Sequence, residues 1–217
     1  MNQDSSRKRL AEARRQARVL TSGVFGMRGD AELCKIVEEA ATAMRFPYAA
    51  VSIVDRSRLW LAVAYGFDPR EFLRPDSFCD AAIQLPGFAP LCVSDAWREP
   101  RFKFAPAVVE MDVRAYYAAP MVTDDGFALG TLCVLDQKPR TIDETALALL
   151  TRLATDATAV IDRESNAMAH AEYAIGELVT RIRFAVADED EELATLLDEE
   201  LRQLEAKMKP DWEPKAQ

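Results

Sequence analysis

Four cysteines and a single histidine are the residues of this sequence best suited to nucleophilic, redox or metal chemistry. The cysteines are Cys34, Cys79, Cys92 and Cys133, and no two of them form a CxxC pair. Such wide spacing disfavours both a zinc site and a secreted disulfide scaffold. We therefore expect reduced thiols, and we expect no metal site.

Cys79 is the strongest candidate for chemistry. It begins a short predicted helical segment, Cys79–Gln84. At a helix N-terminus the helix dipole can lower a thiol pKa and raise its reactivity. The alternative is a small buried cysteine that only packs. Both interpretations stay open, and we assign no catalytic residue.

The histidine, His170, lies in a long helical pattern, as does the phosphoacceptor histidine of two-component proteins. The Arg and Thr-Pro that usually follow such a histidine are missing here, so a solvated helix residue is favoured. The acidic run Asp188–Glu192 offers oxygen ligands for a hard cation but lacks calcium-loop spacing. It is better explained as a solvated helix junction.

Composition and charge describe a globular, acidic chain. Of its 217 residues 49% are hydrophobic, and the formal net charge is −9. That charge disfavours nucleic-acid binding, because phosphates require a basic surface. No stretch approaches the ~20 apolar residues of a membrane helix, and no signal-peptide core follows the basic N-terminus. We expect a cytoplasmic protein that binds neither nucleic acid nor a membrane.

Periodicity predicts the elements that must position these residues. Residues 5–22 have helical spacing, with an apolar stripe of Leu10, Ala13, Ala17 and Leu20. A second helix follows, which Asp30 can cap, and β-rich runs come after it. The predicted strands are Tyr48–Val54, Leu59–Tyr65, 90–93, Ala115–Val122 and Phe127–Leu135, the last two joined by the hairpin signal Asp124-Asp125-Gly126. Helices before and after antiparallel strands indicate an α+β fold.

The last third of the chain is helical. Thr141 and Glu144 have capping-box spacing, which predicts a helix starting at 141. Its long 3–4 apolar stripe is typical of a dimer seam, the alternative being a helical hairpin folded back on its own domain. The seam residues are Leu150, Leu153, Ala157, Val160 and Met168, joined by Leu10, Ala17 and Leu20 of the first helix. The predicted segments are an N-terminal helix over 1–28, a central domain over 29–160, a helical extension over 161–209 and a tail over 210–217.

Several phrases of the central domain occur in an order and spacing found in one known family. They are Val51-Ser52-Ile53-Val54-Asp55, Ser77-Phe78-Cys79, Val93-Ser94-Asp95-Ala96, Pro100-Arg101-Phe102, Tyr116-Tyr117-Ala118-Ala119-Pro120, and Leu129-Gly130-Thr131-Leu132-Cys133-Val134-Leu135-Asp136. Together they resemble the bacterial GAF domains whose signatures run SFC, DPRF, YAGAP and LGTLCVID. Each phrase alone is weak, but the set is specific and spans about residues 30–160.

The resemblance implies an antiparallel sheet of about six strands with helices on one face. It places a ligand cavity, where there is one, on the other face, under the loops of residues 66–112. The family also dimerises through its terminal helices and passes signals along them. Bilin and cyclic-nucleotide ligands are not expected, because the histidine near the chromophore and the nucleotide-binding residues of those GAF domains are missing.

Residues 95–112 contain the side chains of a possible lid over such a cavity. A small-molecule site combines apolar walls with a few polar groups, and the alternative is that the same side chains only pin the loop to the sheet. The candidate ligand-binding residues are Cys79, Trp97, Arg98, Arg101, Phe102, Tyr116 and Tyr117.

These observations predict a non-enzymatic sensory or regulatory protein that dimerises and signals through a protein partner, with an unidentified small molecule as a possible ligand and no cofactor. One alternative is an adaptor whose GAF pocket is empty. Another is a thiol-redox sensor or enzyme using Cys79, similar to the free methionine sulfoxide reductases. The attacking cysteine of that family has no counterpart in residues 104–117, and Ala81 replaces the subgroup's usual histidine.

Overall fold

The computed structural model describes the backbone of residues 2–69, 71–75, 77–187 and 202, and side chains for 7–69, 71–75, 77–166 and 202. The chain divides into two units, Met1–Asp162 and Arg163–Gln217. The helices are α1 (Asn2–Thr21), α2 (Ala31–Met44), α3 (Phe78–Ile83), α4 (Pro106–Met111) and α5 (Glu144–Ala187). Within the predicted extension over 161–209, residues 188–201 and 203–209 lie outside the described residues, as does the predicted tail over 210–217. No helix in the described part is both long enough and apolar enough to cross a membrane.

Six antiparallel strands form the sheet, which confirms the predicted fold. The strands are β1 (Tyr48–Val54), β2 (Arg58–Tyr65), β3 (Glu71–Leu73), β4 (Leu91–Val93), β5 (Ala115–Val122) and β6 (Ala128–Asp136), in the order β3-β2-β1-β6-β5-β4. Strand β3 has no counterpart in the strands read from periodicity. It is only three residues long, and its pairing with Arg58–Trp60 of β2 defines it.

The first and last helices pack on one face of the sheet, together with α2. Val19 of α1, Leu33 of α2 and Leu150 of α5 are fully buried there in one apolar core. Helix α1 is therefore part of the first unit, whereas the sequence suggested a separate segment over 1–28. We call this side of the sheet the helix face.

The opposite side of the sheet, here called the cavity face, is covered by α3, α4 and the loops around them. Phe78 of α3 stacks on Tyr116 of β5, with 4.4 Å between ring centroids and 12° between ring planes. Phe102 lies 4.6 Å from Phe78, and Val108 of α4 completes this second apolar core. The sequence predicted α3 but not α4.

Local signals explain where the elements begin and turn. The Asp30 carboxylate accepts hydrogen bonds from the backbone of Glu32 and Leu33 at 3.0 and 2.9 Å, which confirms the predicted cap. Gly126 has φ +83°, a conformation that a tight hairpin turn requires and that glycine adopts without strain. The predicted start of the last helix at 141 is wrong. The helix begins at Glu144, because Asp143 accepts from Ala146 N at 2.8 Å and provides the cap.

The residues predicted for a dimer seam fall into two groups. Leu150, Leu153, Ala157 and Val160 are at most 6% exposed and pack in the core of the helix face, so their own chain already encloses them. Periodicity correctly identified a buried stripe, but the sheet of the same chain covers it. The residues of the second group, Leu10, Ala17 and Leu20 of α1, are exposed. The side chain of Met168 lies outside the described residues.

Candidate functional site

A small cavity of about 40 Å³ lies between the cavity face of the sheet and helices α3 and α4. A buried water needs at least about 10–15 Å³ on this measure, so the space fits a few water-sized molecules. Most of its wall is apolar. The lining residues are Ala50, Ser52, Leu59, Leu61, Phe67, Phe72, Ser77, Phe78, Cys79, Pro106, Ala107, Met111, Tyr116, Cys133 and Leu135.

Helix α3 brings Cys79 into this cavity. Ser77 caps the helix by accepting a hydrogen bond from Asp80 N at 3.2 Å. The following turn directs Phe78 and Cys79 toward the sheet, and Cys79 is only 5% exposed. Its Sγ lies 3.1 Å from the hydroxyl of Tyr116. The Cys79 thiol thus has a polar neighbour, but it is buried and does not lie at the surface.

A second thiol, which the sequence analysis did not assign to the site, completes the group. Cys133 on β6 is buried, lines the same cavity and donates a hydrogen bond to Ala50 O at 3.5 Å. Successive strand residues point to opposite faces of a sheet. Applied to residues 129–135, this alternation places Cys133 and Leu135 on the same face of the sheet. Together with the cavity position that the family resemblance implies, it could have identified Cys133 from the sequence.

The pKa values of the two thiols are shifted in opposite directions. Hydrogen bonding from Cys133 lowers the pKa of the Cys79 thiol to about 6, against the opposing effect of burial. The same contact, together with burial, raises the pKa of Cys133 well above its usual value. Burial also raises the pKa of Tyr116, so its hydroxyl stays protonated beside the sulfur. Cys79 is therefore the more acidic and the more nucleophilic thiol of the pair.

Two buried hydroxyls lie beside the thiols. Ser52 on β1 and Thr131 on β6 are directly paired across the strands and are fully buried. Neither hydroxyl has a hydrogen-bond partner among the described residues, an arrangement that is costly in a protein interior. The floor of the site can thus hydrogen-bond a small polar molecule.

The structure brings only part of the predicted ligand set together. Tyr116 lines the cavity with Cys79, and Phe102 packs behind them. Tyr117, the next residue on β5, belongs to the helix face, where its hydroxyl donates to Arg140 O at 2.6 Å.

The remaining predicted side chains lie at the surface. Trp97 is 57% exposed, and both Arg98 and Arg101 are exposed. The Arg114 guanidinium lies 4.0 Å from the Trp97 ring centroid, and that of Arg101 lies 5.1 Å from the Phe102 ring. These contacts favour the alternative in which residues 95–112 are pinned to the domain.

An ion-pair network joins helix α1 to helix α3, and nothing in the sequence pattern predicted it. Arg15 of α1 is buried and donates to the carbonyl oxygens of Val54 and Ala128 at 2.8 and 3.1 Å. Its guanidinium also bonds Glu12, and Arg74 bridges Glu12 to Asp80 at 2.6 and 2.7 Å. Asp80 is the neighbour of Cys79 in sequence.

Across the described part of the chain, no three His, Cys, Asp or Glu side chains gather in a way that could hold an ion. What the cavity offers is two thiols and three hydroxyls among apolar walls, a set suited to thiol chemistry or to binding a small uncharged polar molecule.

Comparison with known proteins places this architecture. A family model for the GAF domain matches residues 29–161. A cyclic di-GMP phosphodiesterase of Pseudomonas aeruginosa is 38% identical over 130 residues, which are 59% of this chain and 22% of that protein. The chain thus spans about a fifth of the length of this relative.

Solved structures agree on the fold. The GAF domain of an Acinetobacter phosphoenolpyruvate-protein phosphotransferase superposes with a TM-score of 0.54 at 19% identity, covering 74% of this chain and 95% of that one. The corresponding Coxiella burnetii domain gives 0.52 at 19% identity, covering 65% and 84%.

The match to the phosphodiesterase overturns one expectation. The sequence analysis predicted a protein that is not an enzyme, and this is wrong by the comparison, because the 38%-identical relative is an enzyme by name. The family itself is as the sequence resemblance indicated. With the matched region covering more than half of its length, the chain belongs to the GAF domain family.

Proposed function

We propose that this chain is a bacterial, cytoplasmic GAF input domain that regulates cyclic di-GMP turnover. Its relationship to a cyclic di-GMP phosphodiesterase, 38% identical over 130 residues, supports the signalling role. In this proposal a small molecule acts at the cavity, and a protein partner carries the output activity. The terminal helices connect the two.

The observation that carries this proposal is that strand β5 contributes side chains both to the cavity and to the apolar core of the helix face. On β5, Tyr116 lines the cavity and Tyr117 packs against the helix face, one residue apart. The Tyr117 hydroxyl bonds Arg140 O, four residues before α5 begins. A displacement of β5 at the cavity would therefore also displace Tyr117 and the residues just before α5. Ligand binding could in this way shift the population between two arrangements of α5.

We further propose that α1 forms the dimer contact. Its apolar stripe of Leu10, Ala13, Ala17 and Leu20 repeats at 3–4 spacing and faces away from the domain. Leu10 and Leu20 are 55% and 66% exposed. A second copy of the same helix would cover this stripe with an identical one, the arrangement typical of a two-stranded seam.

The double substitution Leu10→Glu/Leu20→Glu is expected to convert a dimer of the full chain into a monomer. The reason is that two carboxylates would be buried in the seam without partners. Light scattering coupled to size exclusion measures the mass. The unfolding temperature should change little, because both side chains are exposed. Arg14→Glu, at an exposed position outside the stripe, is the matched control and should remain dimeric. A monomeric wild-type chain would contradict the dimer proposal.

The regulatory role is tested by expressing the full chain in a bacterial host and measuring cyclic di-GMP by mass spectrometry. We expect the wild-type chain to change the nucleotide level relative to empty vector. Ala50→Val adds two methyl groups to the cavity floor and is expected to lock the response in one state. Thermal unfolding checks that this variant folds. Equal nucleotide levels with vector and wild type would overturn the proposed function, and equal responses of wild type and Ala50→Val would remove the cavity from it.

A further inference from the structure

The cavity contains two cysteines to which the proposed function gives no task. Cys79 arrives from α3 and Cys133 from β6, so residues far apart in sequence place their sulfurs in one enclosed space. Each is a free, buried thiol, and both residues line the same cavity. The remaining thiols, Cys34 and Cys92, are exposed and lie outside this cavity.

We propose that Cys79 and Cys133 form a reversible disulfide when a small hydroperoxide enters the cavity. The proposal deepens the proposed function, on which its signalling consequence rests, by identifying the signal as a thiol oxidant. Bond formation requires the two sulfurs to approach each other, and the cavity that both residues line leaves no backbone or side chain of another cavity wall to be crossed first.

The chemistry balances with one peroxide per pair. The Cys79 thiolate attacks one peroxide oxygen, the O–O bond breaks, and a sulfenic acid forms. The displaced hydroxide takes the proton that Cys79 released and leaves as water. The Cys133 sulfur then attacks the Cys79 sulfur, forming the S–S bond and breaking the S–O bond, and the second hydroxide leaves as water with the Cys133 proton. Two thiols lose two electrons, and the peroxide gains them.

The surroundings assign the two roles. Cys79 is the attacking sulfur, since the Tyr116 hydroxyl at 3.1 Å and the Cys133 thiol both stabilise its thiolate. Cys133 is the resolving thiol. Its high pKa comes largely from the neighbouring Cys79, and this effect is relieved once Cys79 has become an uncharged sulfenic acid.

Access selects the oxidant by size and charge. The cavity has room for a few water-sized molecules, and its walls are predominantly apolar. Hydrogen peroxide is small and uncharged, whereas a peptide or a charged disulfide such as oxidised glutathione would not fit. The Ser52 hydroxyl lines the cavity, has no hydrogen-bond partner among the described residues and can hydrogen-bond peroxide there. This unpartnered hydroxyl is the independent sign that the space accommodates a small polar molecule.

The experiment treats the reduced full chain with hydrogen peroxide, traps free thiols by alkylation under denaturing conditions and measures intact and peptide masses. We expect the loss of two hydrogen atoms and a cross-linked peptide pair containing Cys79 and Cys133, reversed by dithiothreitol. The double variant Cys34→Ser/Cys92→Ser removes only exposed thiols. It is expected to fold and to form the same disulfide at the wild-type rate.

Two outcomes would overturn the inference. One is a buried pair that stays reduced while Cys34 and Cys92 are oxidised, and the other is a disulfide that joins any other cysteines. Cys133→Ser should instead stop at a sulfenic acid on Cys79, trapped by dimedone. If the disulfide forms but cyclic di-GMP in cells is unchanged by the chain, the proposed function fails and this chemistry stands. If cyclic di-GMP in cells changes but no disulfide forms, the disulfide inference fails and the proposed function stands.

Discussion

Replacing Gly130 by alanine is expected to destabilise the domain by about 3 kcal/mol or more. Gly130 lies in β6 between Ile53 of β1 and Met121 of β5. An added Cβ would overlap Ser52 O and would lie only 2.8 Å from Ile53 Cα. Both obstacles are backbone atoms of a central strand, so the clash is relieved only by separating β1 from β6.

Urea unfolding followed by circular dichroism measures this change. Gly26→Ala is the matched control, because Gly26 is exposed and no atom lies within 4 Å of a Cβ built there. Its effect should stay within about 0.5 kcal/mol. A Gly130→Ala variant as stable as the Gly26→Ala control would show that β1 and β6 do not pack as described. The cavity floor, which includes Ser52, would then be in doubt as well.

The clash at Gly130 illustrates a limit of reading one sequence. Gly130 stands within a family phrase, yet its physical reason is the carbonyl of Ser52, which comes from a strand far away along the chain. Strand existence was readable from β-rich runs and from the turn at Asp124–Gly126. The pairing of β1 with β6 was not, because a contact between distant segments leaves no local pattern. The short strand β3 was missed for the same reason.

The helices show the complementary limit. The 3–4 stripe through Leu150 and Ala157 correctly indicated one buried face, but periodicity does not identify what buries it. In the structure the sheet of the same chain does so. The stripe of α1 through Leu10 and Leu20 has the same kind of pattern and is exposed. Only the fold separates a core stripe from a candidate interface.

For the candidate site, the sequence identified one of the two thiols and assigned more aromatic side chains to the cavity than line it in the structure. Tyr116 and Tyr117 are neighbours in a strand, so their side chains must point to opposite faces. That rule alone excludes one of them from the cavity. Trp97, Arg98 and Arg101 looked like a lid because of their types, but their positions depend on loop geometry and on Arg114, which contacts Trp97. Composition carries no information of that kind.

Arg15→Ala is the second substitution for which we expect a large effect, a destabilisation of about 3 kcal/mol. Arg15 is 7% exposed, and its guanidinium satisfies the carbonyl oxygens of Val54 and Ala128 where β1 ends and β6 begins. Its removal leaves both oxygens without this donor and takes one of the cationic partners from Glu12. Arg14→Ala, the adjacent exposed arginine, is the matched control and should change stability by less than about 0.5 kcal/mol.

Acid unfolding supplies a second readout of the same contact. Burial raises the pKa of Glu12, but hydrogen bonds from Arg15 and Arg74 outweigh this and bring the pKa down from 4.5 to about 2. The folded state therefore binds fewer protons than the unfolded state between these values. The Glu12 contribution to stability is complete above pH 4.5 and is lost as the pH falls toward 2. In Arg15→Ala that acid-dependent loss should shrink, and added salt should shrink it in the wild type, since Glu12 is partly exposed.

The position of this network gives the Arg15 experiment a meaning beyond stability. Arg74 holds Glu12 of α1 and Asp80 of α3, and Asp80 follows Cys79 directly. Any displacement of α3 that accompanies a Cys79–Cys133 disulfide must therefore act on the ion pairs that fasten α1. If α1 is docked in this way, Arg15→Ala increases hydrogen exchange in α1 already in the reduced chain, and peroxide increases it in the wild type. Unchanged exchange in Arg15→Ala would mean that the helix is held by Val19 and its apolar neighbours alone. A change in the cavity would then be transmitted through β5 to α5 and not through α1.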